Sequence, residues 1–213
     1  MRSTILATLG LAAVFPAAVV AQRTPADSLA QLMGKGVSIA LAGHRARTLS
    51  DIRVRLTLDV AAVDSAVGSV DLRFNRVGNS DVLIDFRGRR LGEVRANGTI
   101  VAAGAFNGSH LRIPAGLLRA GENLVSATFV TDIAPTGASI SRARDSSDGN
   151  DYLYTLLVPA DANQLFPCFD QPDLKVRFAL DLTLPRAWTA VGNAKLASAE
   201  DAPDGTRRLR FAA

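Results

Sequence analysis

From Asp51 onward, apolar and polar residues alternate with a period of two. Ile52, Val54, Leu56, Leu58 and Val60 are separated by Arg53, Arg55, Thr57 and Asp59, the pattern of a strand with one face in a core and one in water. Val67, Val70, Leu72 and Phe74 continue in this style after a turn region at 64–68, and Val82, Ile84 and Phe86 predict a third strand. Residues 91–96 and 99–103 flank Asn97-Gly98, a pair that accepts the positive φ angles of a type I′ turn, so a tight hairpin is expected there. Asn107-Gly108 marks another turn before Leu111 and Ile113, and residues 124–130 read as one more strand. Strands recurring at this spacing with turn residues between them predict an all-β fold, a bent antiparallel β-sandwich with one or two short helices.

Before Asp51 the pattern differs. Over 36–47, Ser38 is a candidate N-cap, and Ile39, Leu41, Ala42 and Ala46 form a loose apolar face. A helix is expected, although the same alternation fits a strand. Residues 26–32 suit a turn or two of helix. At the start of the chain, Arg2 precedes an apolar run from Ile5 to Val20 that closes on Val19-Val20-Ala21, as a cleavage site after Ala21 requires. Counted from Thr4 to Ala21 the stretch is about 18 residues, at the lower edge of a spanning helix, and it contains Gly10 and Pro16. The expectation is therefore a cleaved export signal over 1–21, a lead-in over 22–36 and one β-sandwich domain over 37–213. No membrane span remains after cleavage, and the location is periplasmic or extracellular.

Composition removes several classes of function. The 213 residues are 48% hydrophobic and 21% charged, which excludes a disordered or low-complexity chain. The net charge of +4 comes from 24 Lys and Arg against 20 Asp and Glu, and Lys occurs only at 35, 175 and 195. No basic block is long or interleaved with aromatics, so no nucleic-acid partner is expected. A single cysteine, Cys168, forbids an intrachain disulfide, and its neighbours Phe166, Pro167 and Phe169 make it an inert buried thiol.

Candidate chemistry is sparse. His44 and His110 are the two histidines; without a His-Glu-x-x-His or any zinc-ligand spacing they read as surface or turn residues. No Gly-x-Ser-x-Gly elbow is present. The acidic loop at 145–151 fails as a calcium loop, because placing Gly149 at the sixth position puts Arg144 at the first and no Glu closes it; a solvated turn is expected. Asn97-Gly-Thr and Asn107-Gly-Ser match the glycan acceptor pattern, yet both stand where hairpin turns are required.

The informative stretch is 151–194. A strand over 152–158 is followed by a short helix opened by Pro159, then a rigid corner Phe166-Pro-Cys-Phe-Asp-Gln-Pro172, then an alternating strand through Val176, Phe178, Leu180, Leu182 and Leu184. Asp170 is expected to brace the corner through backbone donors. Tyr152-Leu-Tyr154-Thr, Pro159-Ala-Asp-Ala and Phe166-Pro-Cys-Phe-Asp-Gln-Pro-Asp-Leu-Lys175 resemble the N-terminal domain of M1-family zinc aminopeptidases, the aminopeptidase N group. The resemblance runs from about Gly36 to the end, with 152–178 its specific part.

That resemblance implies a bent β-sandwich packed against a thermolysin-like catalytic domain, which would hold the zinc and the general-base Glu. It implies a structural block of Tyr152, Tyr154, Pro159, Phe166, Pro167, Cys168, Phe169, Asp170, Pro172 and Lys175. It places Leu156 and Val158 where the family carries the Gln and Glu of Thr-Gln-x-Glu, which shape the first specificity pocket and grip the substrate's amine. An apolar side chain cannot pair with an ammonium, so both cleft positions are atypical.

The expected function is that of the substrate-cleft domain of an exported zinc aminopeptidase acting on peptides. This chain would be inactive by itself, with no cofactor of its own and with zinc in the full-length family. Its strand-like run from Arg207 stops at Ala213, which reads as a domain incomplete at its C-terminus. Two alternatives are a free-standing β-sandwich binding module without catalysis and a degraded gene product.

Overall fold

The structure is a computed structural model that describes residues 31–213. The expected export signal, and nearly all of the 26–32 turn, lie outside the described residues.

The first helix, α1 (Ile39–Thr48), begins at Ser38, whose side chain accepts a hydrogen bond from the Leu41 amide at 3.1 Å and so satisfies one of the free donors of the first turn. Its buried face is not the expected one. Ile39 is 93% exposed and Ala46 also faces solvent, while Leu41 and Arg45, one helical turn apart, are buried. The loose apolar pattern established the helix, and the tertiary partner chose its face.

Twelve strands follow. An eight-stranded sheet has the order β11-β12-β10-β1-β2-β7-β4-β5. Its members are β1 (Leu49–Asp59), β2 (Ser65–Arg76), β4 (Arg90–Ala96), β5 (Thr99–Ile100), β7 (Gly121–Asp132), β10 (Val176–Pro185), β11 (Leu196–Asp201) and β12 (Thr206–Phe211). Two small ribbons accompany it: β3 (Val82–Asp85) with β6 (His110–Ile113), and β8 (Ile140–Arg144) with β9 (Asp151–Thr155). The short helix α2 (Ala162–Leu165) lies between β9 and β10. The architecture is all-β and sandwich-like. One pairing departs from the expected antiparallel plan: β1 and β10 run parallel, from Ile52 opposite Val176 to Asp59 opposite Thr183. That contact joins segments more than a hundred residues apart, a closure that no local alternation encodes.

The inner face of the sheet follows the predicted phase. Ile52, Val54, Leu56 and Leu58 are buried, as are Val70, Leu72 and Phe74 on β2 and Val125, Ala127 and Phe129 on β7. A bulge between Ser50 and Arg53, with Asp51 at φ 47°, lets both Leu49 and Ile52 point inward. Val67 falls on the other phase and faces solvent; Gly68 takes the inward position between Leu58 and Phe129. A Cβ at Gly68 would stand 2.5 Å from the Phe129 ring and 2.7 Å from the Thr57 carbonyl oxygen. Gly68→Ala is therefore expected to cost about 1–3 kcal/mol, read as a lowered urea midpoint with an unchanged slope.

The Asn97-Gly98 turn forms as predicted, with φ of 49° and 88°. Three expected elements differ in extent from the sequence reading. The strand after the hairpin is only β5, because Ala103–Ala105 turn into a 3₁₀ helix. The strand expected over 152–158 stops at Thr155, and the helix expected at Pro159 begins at Ala162. β8 was not anticipated: its Ser and Arg residues give no apolar run, and it forms by pairing back onto β9 across the 145–151 loop.

Candidate functional site

The 166–172 corner is anchored on Asp85 at the end of β3. β3 is buried at all four positions, because the main core covers one side and α1 the other, where Leu83 meets Leu41. The strand ends on Asp85. Its backbone exchanges two hydrogen bonds with Cys168, at 2.8 and 3.0 Å. Its carboxylate accepts from Arg45 Nη1 (2.8 Å) and Nη2 (2.6 Å), from the Asp170 amide (2.9 Å) and from His110 Nδ1 (2.8 Å). Four donors match the lone-pair capacity of a carboxylate, so a charge that would be costly alone is fully satisfied. Arg45 Nη2 also donates to the Leu83 carbonyl at 2.8 Å, and its guanidinium lies 5.5 Å from the Phe169 ring centroid.

Asp170 braces the corner as expected, accepting from the Asn163 amide (2.9 Å) and side chain (2.5 Å) at the start of α2. Gln171 ties the corner to α1 through the Ala42 carbonyl. Cys168 is buried, and burial pushes its thiol well above the ordinary value, as its apolar neighbours predicted.

His110 corrects the sequence reading. It is 1% exposed and belongs to the clamp. His44, half-buried on α1, lies 3.2 Å from the Ser80 hydroxyl. Arg45 and Asp85 were also missed. The available signal was the unbroken Val82-Leu83-Ile84 run, which marks a strand covered on both faces, so that the carboxylate closing it needs internal partners.

The clamp makes stability pH-dependent. Burial acts on Asp85 to raise its carboxyl, but hydrogen bonds from His110 and Arg45 outweigh burial and hold it below the ordinary value. The bond to Asp85 raises His110, against the opposing effect of burial. A lowered acid contributes stability above its unfolded value, about 3.9, that is lost as pH falls through the folded one; a raised histidine contributes below about 6.5 and loses it as pH rises. Burial raises Asp170, so its ionisation works against the fold over the acid range. The Asp85–His110 contribution is expected to be complete between about pH 4 and 6.5 and to decline on the alkaline side. His110→Gln should remove that alkaline decline from urea midpoints measured against pH.

The remaining predicted residues divide into two sets. Phe166, Pro167, Cys168, Phe169 and Asp170 are buried in the corner, whereas Pro172 and Lys175 are exposed after it, with Lys175 Nζ donating to the Pro172 carbonyl. Tyr152, Tyr154, Leu156 and Val158 all point away from the core, Leu156 56% and Val158 70% exposed, while Leu153 and Leu157 pack inward. This alternation makes an open apolar stripe along β9 and the segment after it, ending at Pro159.

Among the described residues, no three His, Cys, Asp or Glu side chains are grouped so as to hold a metal ion. The 145–151 loop is closed by its own turn bonds, Asp145 accepting from the Ser147 amide and Asp148 from the Asn150 amide. The Asn97 side-chain amide donates to the Leu117 carbonyl and to Asn123, and the Asn107 side-chain amide to the Met33 carbonyl; both side chains tie their turns to distant segments. No helix among the described residues is long and apolar enough to cross a membrane.

Fold and site together define a sandwich-like β domain with an ion-clamped corner beside an exposed apolar stripe. The peptidase M1 N-terminal domain family matches residues 105–213, half of the chain. Aminopeptidase N of Streptomyces lividans is 32% identical over 125 residues, covering 58% of this chain and 14% of that protein. Aminopeptidase N of Acetobacter pasteurianus is 32% identical over 146 residues, covering 64% and 40%. In three dimensions the chain is similar to an M1 zinc metallopeptidase from Deinococcus radiodurans, with a TM-score of 0.63 at 18% identity over 78% of this chain and 39% of that one. The chain belongs to the peptidase M1 N-terminal domain family, and it spans well under half the length of each of these relatives.

Proposed function

We propose that this chain is the N-terminal, cleft-lining domain of an exported zinc aminopeptidase that removes N-terminal residues from peptides. The zinc and the general base belong to a catalytic domain outside these 213 residues. The observation that carries this reading is the open stripe of Tyr152, Tyr154, Leu156 and Val158 on a domain of this family. A relative of the same fold has been crystallised with a Tyr-Ser-Ala substrate, in keeping with a peptide ligand.

In this reading the chain does no bond-breaking. The zinc domain supplies a metal-activated water, and residues 156–158 form one wall of the cleft. Because Leu156 and Val158 carry no charge, they exclude water and select by shape, leaving any grip on the substrate's ammonium to other residues.

The test is to read the gene past the Ala213 codon and express the whole product. The expected outcome is a His-Glu-x-x-His with a more distant Glu, chelator-sensitive release of N-terminal residues from peptides, and no such activity from residues 22–213 alone. A complete product without zinc and without peptidase activity overturns the proposal.

A further inference from the structure

His110 sits at the start of β6 with an acceptor on each ring nitrogen. Nδ1 faces the Asp85 carboxylate at 2.8 Å, and Nε2 faces the Gly34 carbonyl at 2.7 Å and the Gly36 carbonyl at 3.1 Å. A neutral imidazole has one N–H. Neither a carboxylate nor a carbonyl can donate, so only the doubly protonated ring satisfies both sides of this buried site. The same turn makes a second tie to the lead-in: the Asn107 amide, whose carbonyl oxygen accepts from the Ser109 and His110 amides, donates to the Met33 carbonyl at 2.9 Å. Leu32, Met33 and Val37 of this lead-in cover Leu41 and Leu83.

We propose that His110 is a pH-responsive latch: as the imidazolium it fastens the Gly34–Gly36 lead-in to the start of β6, and loss of its proton releases that segment. The charged and titratable groups facing it explain the direction. From β3, Asp85 retains the proton on Nδ1, because a carboxylate is the stronger acceptor. From α1, Arg45 shares that carboxylate and keeps it ionised. From the corner, Asp170 contributes its amide to Asp85, and Cys168 remains a neutral thiol. Lys35 in the lead-in is exposed, and Arg112 further along β6 is paired with Asp81. When the ring loses its proton, the proton leaves from Nε2 to solvent. The Nε2 lone pair then faces two carbonyl oxygens at hydrogen-bond distance, and repulsion replaces attraction.

Release is local, because the Asp85–Arg45 pair and the corner keep their remaining bonds. The lead-in moves away from Leu41 and Leu83, and residues 33–37 become accessible. This makes the junction between the lead-in and the domain tight in mildly acidic surroundings and loose in alkaline ones.

The experiment uses the unaltered protein. The His110 ring nitrogens are titrated by ¹⁵N NMR, and amide exchange over 33–37 is followed across the same pH range after correction for its intrinsic pH dependence. The expected result is a doubly protonated ring at pH 6, and a corrected opening of 33–37 that rises about tenfold per pH unit between the free-histidine value of about 6.5 and the latched ring's midpoint, as release of one linked proton requires, while β1 and β7 stay protected. In Asn107→Ala the lead-in should open at lower pH with the His110 titration still present. A neutral ring at pH 6, or corrected exchange of 33–37 that ignores the His110 titration, overturns the proposal.

Discussion

Asp85→Ala loses about 3–5 kcal/mol of folding stability, the cost of leaving a buried ion pair without one partner. With a urea slope of roughly 2 kcal/mol/M, the midpoint falls by about 1.5–2.5 M. The effect is large because four donors converge on this side chain. Removing it strands the Arg45 guanidinium and the His110 ring, both nearly inaccessible to solvent, and frees the Asp170 amide from its acceptor. The backbone pair between Asp85 and Cys168 remains but loses its flanking support, so the 166–172 corner loosens together with α1. Replacing Arg45, Asp85 and His110 together by apolar residues of similar volume should recover most of the loss. A midpoint for Asp85→Ala within roughly 0.3 M of the wild type would show that the clamp contributes no net stability.

Phe74→Ala is expected to cost about 3–5 kcal/mol by a different route. Its side chain is fully buried on the inner face of β2 and meets Phe169 edge to face, with centroids 5.4 Å apart and an interplanar angle of 87°. That is the geometry aromatic quadrupoles favour. The ring is one of the sheet's aromatic contacts to the corner, beside Phe178 on Phe166, and the surrounding strands are paired on both sides of β2, so the cavity cannot collapse easily. Denaturant unfolding measures the loss, and a cycle with Phe169→Ala isolates the pairwise part. Tyr154→Ala, on the open stripe, should change stability by less than about 0.5 kcal/mol. A Phe74→Ala loss as small as that would mean the sheet and corner are held together elsewhere.

Much of the all-β architecture was legible because a strand declares itself locally. A strand with one buried face must alternate every two residues whatever it pairs with, so β1, β7 and most of β2 could be placed before any partner was known. Asn97-Gly98 was legible for a similar reason, since its backbone angles are tied to residue type at two adjacent positions. β8 was not, because a strand built from Ser and Arg gains its stability from the ladder with β9 and carries no apolar period. The face of α1 was not, because Leu41 and Ile39 are equally apolar and only contact with Leu83 distinguishes them.

The same division runs through the candidate site. The 152–178 stretch was recognisable as a family block, and Asp170 as a brace, because those inferences rest on neighbouring residues. The clamp was not legible beyond the hint that the carboxylate closing Val82-Leu83-Ile84 needs internal partners. Its members are separated by 40 and 25 residues, and Arg, Asp and His taken singly are ordinary surface residues. They become interior groups only when α1 is laid over β3 and the lead-in over the start of β6, where each neutralises or hydrogen-bonds another.

By itself, then, the sequence determined the strand phases, the glycine-dependent turns and the family of the corner, all set by short-range sterics and solvent partition. Only the tertiary structure decided that β10 runs parallel to β1, that Arg45, Asp85 and His110 share one buried site, and that Leu156 and Val158 stay open to solvent. Those outcomes depend on which distant segments close on one another, and the free energy of burying a charge or an apolar side chain has no sign until its partner is in place.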